Sequence, residues 1–209
     1  MANPDGVDNS AGLIVEHYER HALAWDADRR HGTWADKPWL DRFVAALPSE
    51  ATVLDLGCGG GVPVALHLVD SGMNVTGIDT SPTLIALCRE RLPNEEWIAG
   101  DMRSLSLGRR FDGILAWDSF FHLTHEEQRR MFDIFADHST GGTILMFNAG
   151  PAYGEVVGSY RGDPLYHASL SPAEYEEALR RTGFEVVAHV AEDHDAGGRT
   201  AWIARFVRR

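Results

Sequence analysis

Short apolar runs alternate with amphipathic stretches along most of the chain. Residues 51–56 form the first run, between Pro48 and Gly57, and read as a buried strand. Similar runs recur at 74–78, 97–99, 111–118 and 143–147. Between them the apolar positions repeat near the helical period. Residues 62–69 follow the first strand as a helix. A helix after the second strand turns Leu84, Ile85, Leu87, Cys88 and Leu92 inward, with Thr80 or Ser81 before Pro82 as its cap and start. Thr124-x-x-Glu127 is a capping box that opens a helix through about residue 138, and Gly141-Gly142 turns the chain into the fifth strand.

Two helices precede all this. Residues 10–30 carry a loose apolar face of Ile14, Tyr18, His21, Leu23 and Trp25. Pro38 opens a second helix, with Trp39, Leu40, Phe43, Val44 and Leu47 inward, and Pro48 stops it. The C-terminal part departs from the alternation. Residues 149–164 are rich in Gly, Pro and Tyr and show no period, so they read as a long functional connection. Residues 165–170 read as a short strand. Ser171-Pro172-x-Glu174 opens a helix that Gly183 ends. Two β-runs, 184–190 and 200–207, close the chain, joined by a connection with turn chemistry. Alternating strands and helices predict a Rossmann-like, doubly wound α/β sheet, and the last two runs add an antiparallel strand.

The chemistry concentrates at the first strand–helix junction. Gly57, Gly59 and Gly61 alternate behind Asp55. A glycine-dense turn between a strand and a helix N-terminus receives nucleotide-like ligands, because its backbone tolerates φ > 0 and close approach. The dinucleotide fingerprint G-x-G-x-x-G is not met, since Val62 stands where its third glycine belongs. Asp79 ends the second strand, about twenty residues on, where a carboxylate accepts both ribose hydroxyls of NAD or S-adenosylmethionine (SAM) alike.

Composition narrows the partners. The 209 residues are 44% hydrophobic and 24% charged, with a net charge of −12. One domain of the larger kind is expected. The basic residues are scattered pairs, which argues against nucleic acid as acceptor. No apolar stretch is long enough for a membrane span, and the first residues show no secretory signal. Cys58 and Cys88 make no disulfide framework, so a cytoplasmic location is expected. Residues 1–9 read as a disordered tail. The histidine pairs His17/His21 and His122/His125 lack a third ligand at a telling spacing and read as solvated or packed, so no metal is expected.

Asp55-x-Gly57-x-Gly59-x-Gly61 resembles motif I of the class I SAM-dependent methyltransferases of small-molecule type. Asp79, the closing β-runs, and Tyr18-x-x-x-Ala22-x-x-Trp25-Asp26 extend the resemblance over nearly the whole chain. It implies a single domain, residues 1–209, with strand order 3-2-1-4-5-7-6, strand seven antiparallel, N-terminal cap helices over 10–47 and an acceptor lid over 149–164. It implies SAM as cofactor, held by Tyr18, Asp55, Gly57, Cys58, Gly59, Asp79, Thr80, Asp101, Met102 and Trp117, with one of Arg29 or Arg30 near the methionine end. Asp101 would accept the adenine amino group, and the next N–H would meet a ring nitrogen. Asp118 and His122, past the fourth strand, are the candidates for catalysis. The acceptor implied is a small molecule. No Asn/Asp-Pro-Pro-Tyr/Phe motif follows the fourth strand and no Pro-Cys pair occurs, so base methylation in nucleic acid is disfavoured. A nicotinamide-dependent reductase and a non-catalytic SAM-binding regulator stay open at this point, as do the acceptor and the oligomeric state.

Overall fold

In the computed structural model, residues 10–208 are described; the expected tail 1–9 lies outside them. Helices α1 (Ile14–His31) and α2 (Lys37–Ala45) lead into β1 (Thr52–Leu56), α3 (Val64–Asp70), β2 (Asn74–Asp79), α4 (Pro82–Arg91) and β3 (Glu96–Ala99). Then follow β4 (Phe111–Ala116), α5 (His125–Asp137), β5 (Ser139–Ala149), β6 (Gly154–Tyr160), β7 (Asp163–Ser169), α6 (Pro172–Thr182), β8 (Phe184–Asp193) and β9 (Arg199–Phe206). Seven strands form one sheet in the order β3-β2-β1-β4-β5-β9-β8. The four central pairings out to β5 are parallel, and β9 runs antiparallel to both β5 and β8. This is the anticipated order; only the numbers of the last two strands change, because an extra hairpin intervenes.

The period-2 geometry of the strands divides the core in two. Val53, Leu115, Ile144, Met146 and Ile203 face the layer of α2, α3 and α4, where they meet Trp39, Phe43, Leu68 and Ile85. Their neighbours Leu54, Ile114, Leu145, Phe147 and Trp202 face α5 and α6, where they meet Phe132, Phe135, Tyr175 and Leu179. Every central strand is therefore buried on both faces, which is why these strands read as unbroken apolar runs.

The helix ends follow the capping signals. Ser81 Oγ accepts from Leu84 N–H at 3.1 Å, and Pro82 takes the first turn of α4. Thr124/Glu127 and Ser171/Glu174 form capping boxes on α5 and α6, and Gly183 closes α6 at φ +98°. None of the described helices is long and apolar enough to cross a membrane.

The segment 149–164 departs from expectation. It is largely a hairpin: β6 and β7 pair antiparallel in a two-stranded sheet of their own. Arg161 (φ +52°) and Gly162 (φ +90°) make the tight turn, with the two positive φ values that match strand twist. No alternation marks β6, because its central residues 155–159 are all exposed; neither face sits on a core that would select apolar side chains.

Candidate active site

The carboxyl ends of β1, β2, β3 and β4 open onto one cleft, roofed by α1. It has a larger and a smaller lobe, which share Trp25, Gly57, Gly59 and Asp118 on their walls. The larger lobe is lined by Tyr18, Asp79, Thr80, Asp101, Met102 and His122 among others. The smaller is lined by Asp26, Arg29, Asp55, Cys58 and Trp117 among others. The cleft thus gathers all twelve residues singled out above, from α1 and from four strand ends.

The glycine turn is held by the sheet. Gly57 and Cys58 N–H both donate to Ile78 O, at 2.7 and 3.0 Å, and Gly59 N–H donates to Asp79 Oδ2 at 2.9 Å. The first two glycines serve different needs. A Cβ on Gly57 would stand 2.3 Å from Ser119 Cβ, so the backbone there has no room for a side chain. Gly59, at φ +57°, has nothing within 4 Å of an added Cβ, and that open space is the cleft. Gly60 abuts α1: its added Cβ would lie 2.2 Å from Asp26 Oδ1. Asp26, 3% exposed, is held by Arg91 at 2.5 and 2.8 Å and by Arg30 at 2.9 Å, while Arg91 also donates to Gly60 O. Burial works against the Asp26 charge, but the two guanidiniums prevail and hold its carboxyl below the usual range. Arg30 is thus spent on α1, and Arg29 is the one that lines the cleft.

Two carboxylates flank the turn. Asp79 Oδ1 accepts from Ser81 N–H at 2.9 Å, so Asp79 ties the glycine turn to the start of α4. Burial raises its pKa. Asp55 Oδ2 is buried without a hydrogen-bond partner among the described residues. Burial, and then the charge of Asp79, push Asp55 up to about 7. Cys58 lies close by, its thiol pushed up by burial. Trp117 Nε1 donates to Asp36 Oδ2 at 2.6 Å. Asp101 caps the short turn after β3 and chelates Arg103, which itself lines the cleft. Burial opposes the Asp101 charge, yet Arg103 keeps the carboxyl below its usual range.

Asp118 sits at the junction of the lobes with φ +52°, an uncommon conformation for a side-chain-bearing residue. Asn148 holds it twice: Asp118 N–H donates to Asn148 Oδ1, and Asn148 Nδ2 donates to Asp118 Oδ1, both at 2.8 Å. Arg199 donates to both carboxylate oxygens at 2.8 Å, and Arg29 Nη1 is 3.2 Å away. Burial alone would raise Asp118; the guanidiniums and Asn148 bring it below its usual value. His122 is 5% exposed. Its Nδ1 lies 2.7 Å from Tyr166 O, which can only accept, so Nδ1 carries the proton. Burial pushes this imidazole down to about 3. The neutral ring therefore accepts at Nε2 from the Tyr18 hydroxyl, at 2.6 Å. Burial, then Asp118 and Asp79, raise the Tyr18 phenol.

Residues 149–163 do not line either lobe. Their reach to the site is indirect: the Tyr160 ring is edge-on to Trp25 at 5.4 Å. The wall expected from that segment is instead α1 with the residues before it, through Ala11, Ile14, Val15 and Tyr18. Arg199, Asn148, Arg91 and Ser119 escaped the sequence reading, and Asp26 was seen only as part of the motif on α1. Arg199 lies 81 residues from Asp118 and has no motif around it.

Residues 53–142 match the family described as "Methyltransferase domain". A dTDP-3-amino-3,6-dideoxy-alpha-D-glucopyranose N,N-dimethyltransferase from Streptomyces fradiae is 38% identical over 93 residues, 44% of this chain and 36% of that relative. The chain thus spans well under half the length of such a curated relative. Among solved structures, a SAM-bound amino pentose methyltransferase from Micromonospora echinaspora superposes with a TM-score of 0.68 at 23% identity, covering 88% of this chain and 95% of that one. The 1,6-didemethyltoxoflavin-N1-methyltransferase of Burkholderia thailandensis, solved with 1,6-didemethyltoxoflavin and S-adenosylhomocysteine, reaches 0.74 at 18% identity, covering 100% and 92%. Residues 53–142 are therefore similar to the methyltransferase domain, and the chain shares the fold of methyltransferases solved with SAM or S-adenosylhomocysteine.

Proposed function

We propose that this protein transfers the methyl group of SAM to a small-molecule acceptor. The observation that carries the reading is the orphaned carboxylate oxygen of Asp55 behind a glycine turn that opens into the cleft. A buried carboxylate without a donor fits a cationic ligand group, and the open face of Gly59 fits a ligand that approaches the backbone. Asp79 accepts ribose hydroxyls through the lone pairs its backbone donors leave. Asp101 and Met102 border the adenine end of the larger lobe, with Tyr18 and Thr80. Asp55, Cys58, Arg29 and Trp117 border the methionine end. Bound there, SAM supplies an electrophilic methyl group on a sulfonium.

Asp118 and His122 stand where the lobes meet, and we assign both to the reacting end. Their work is orientation. Asp118 is kept ionised by Arg199 and Arg29, which makes it a poor proton acceptor. His122 is a neutral acceptor that fixes the Tyr18 hydroxyl at the wall of the larger lobe. Holding nucleophile and methyl in line supplies most of what such a displacement needs. N-terminal residues 10–47 cap the cleft, and the hairpin of 149–164 backs that cap as an acceptor-side lid. The net charge of −12 favours a small acceptor over nucleic acid, and two unpaired cysteines suit the cytoplasm. Calorimetry with S-adenosylhomocysteine, SAM and NADH tests the cofactor. Acceptor screening for S-adenosylhomocysteine release tests turnover. Saturable binding of NADH with none of S-adenosylhomocysteine would end the reading.

A further inference from the structure

One cluster of ligating side chains lies outside the cleft. His17 and His21 are four residues apart on α1, so they share one face of the helix, and their ring centroids are 4.9 Å apart. Asp163, the first residue of β7, comes to them across the hairpin turn. Its Oδ2 accepts from His21 Nε2 at 2.8 Å. One ligand atom from each of the three side chains lies within 4.8 Å of the other two. The Tyr160 ring packs edge-on against both imidazoles, at 5.9 and 5.6 Å. His17 is 5% exposed. A buried imidazole beside a second imidazole and a carboxylate offers three ligand atoms to one ion.

We propose that His17, His21 and Asp163 bind a divalent transition-metal ion, zinc first, which clips the β6–β7 hairpin onto α1. Two imidazoles and one carboxylate suit zinc, cobalt or nickel; magnesium and calcium take oxygen ligands instead. Three protein ligands leave a fourth position for water. Zinc sits about 2 Å from each ligand, so binding draws these atoms inward by side-chain rotation. Arg20 is the competitor, since its Nη1 donates to the same Asp163 oxygen at 2.8 Å. Arg20 also holds Glu16 on its own helix and keeps that partner when the ion takes Asp163.

The ion would matter to the cleft. Apart from it, the hairpin tip is tied to α1 by exposed polar contacts: Tyr160 and Arg161 to Asp28, and Arg20 to Asp163. Tyr18, the next residue after His17, and Trp25 project from the same helix into the cleft. A metal bridge would fix that wall.

The test is titration of zinc chloride into chelator-treated full-length protein, read by calorimetry and by Tm. One ion per chain is expected, with a micromolar or tighter Kd and a Tm that rises with zinc concentration. His21→Ala and Asp163→Ala should each weaken binding at least about tenfold, while His125→Ala, outside the cluster, should leave it unchanged. Cobalt substitution gives a second readout: a visible d–d band present in the unsubstituted chain and lost in both cluster variants. Circular dichroism without metal confirms that the variants fold. If either does not, the His125→Ala control and slower proteolysis of the hairpin in zinc still decide the matter. Uptake weaker than about 1 mM, uptake unchanged by both cluster variants, or hairpin cleavage indifferent to zinc overturns the proposal.

Discussion

The glycine turn after β1 and the β6–β7 hairpin both press against α1, but they are secured differently. The turn is fastened through backbone: Gly57, Cys58 and Gly59 donate to Ile78 and Asp79 of the neighbouring strand. Buried Asp26 then locks α1 onto it through Arg91. The hairpin is fastened along one strand: the carbonyls of Tyr166 and Ala168 on β7 accept from the side chains of His122 and Gln128, while β6 is exposed. Its strands pair only with each other, Val156 and Val157 are exposed, and exposed ion pairs join its tip to α1. The difference separates a stiff turn from a hairpin whose tip yields; on the proposed function, the first is the cofactor wall and the second braces the acceptor side through Trp25. Exposed ion pairs contribute little and are screened by salt, so opening at the hairpin should not disturb the turn.

The sharpest way to break that contrast is to place the same side chain in both turns. Gly57→Val meets Ser119 and must hold a branched residue at φ +78°. It should lower the unfolding free energy by roughly 3 kcal/mol or more, measured by urea denaturation. Gly162→Val also faces a positive φ, but its added Cβ has nothing within 4 Å. Only the conformational penalty of roughly 1–2 kcal/mol applies there. Equal losses would mean that the turn is no stiffer than the hairpin.

Next in size is Asp79→Ala. It removes the acceptor of Gly59 N–H and Ser81 N–H together with the proposed ribose contact. SAM affinity should fall by roughly 1.5–3 kcal/mol, read by calorimetry. Unchanged affinity would reject the ribose role and move the cofactor away from the turn.

Asp55 supplies a pH test. Its carboxyl titrates near 7 in the fold, against about 3.9 in the unfolded chain. A folded pKa above the unfolded one favours the folded state while the group is protonated. That contribution is full below about pH 4 and fades as pH rises through 7. A ligand ammonium reverses the preference, because it favours the carboxylate. SAM affinity should therefore rise several-fold between about pH 6 and pH 8, and Asp55→Asn should flatten the profile. A flat profile in the unsubstituted protein would show that no cation meets Asp55.

The same contrast governs what was legible in the sequence. The strand order, the caps at Ser81, Thr124 and Ser171, and the glycine turn all rest on neighbours close along the chain or on the two-sided burial of parallel strands. Those leave a pattern. The hairpin leaves none, because β6 has no core to alternate against and its turn begins with Arg161, not with a residue suited to positive φ. Arg199 and Asn148 were hidden for another reason. Each is an ordinary polar residue at the end of a strand, and only the closing of the sheet carries them to Asp118. Asp163 reaches His21 across 142 residues, so the histidine pair by itself reads as surface chemistry.

The smallest expected effect on the cofactor comes from the hairpin itself. Tyr160 packs edge-on against His17, His21 and Trp25, and its hydroxyl donates to Asp28 at 2.6 Å. Of these, only Trp25 lines the cleft, where it borders both lobes. Tyr160→Ala removes the ring that braces Trp25 and leaves every bond of the glycine turn in place. SAM affinity should stay within about twofold, while the acceptor KM rises several-fold through a looser wall. Tyr160→Phe keeps the ring and loses only two exposed hydrogen bonds, to Asp28 and from Arg161, so its KM should stay near that of the unsubstituted chain. If Tyr160→Ala weakens SAM as much as it weakens the acceptor, the two walls move together, and the stiff turn and the yielding hairpin are one mechanical unit.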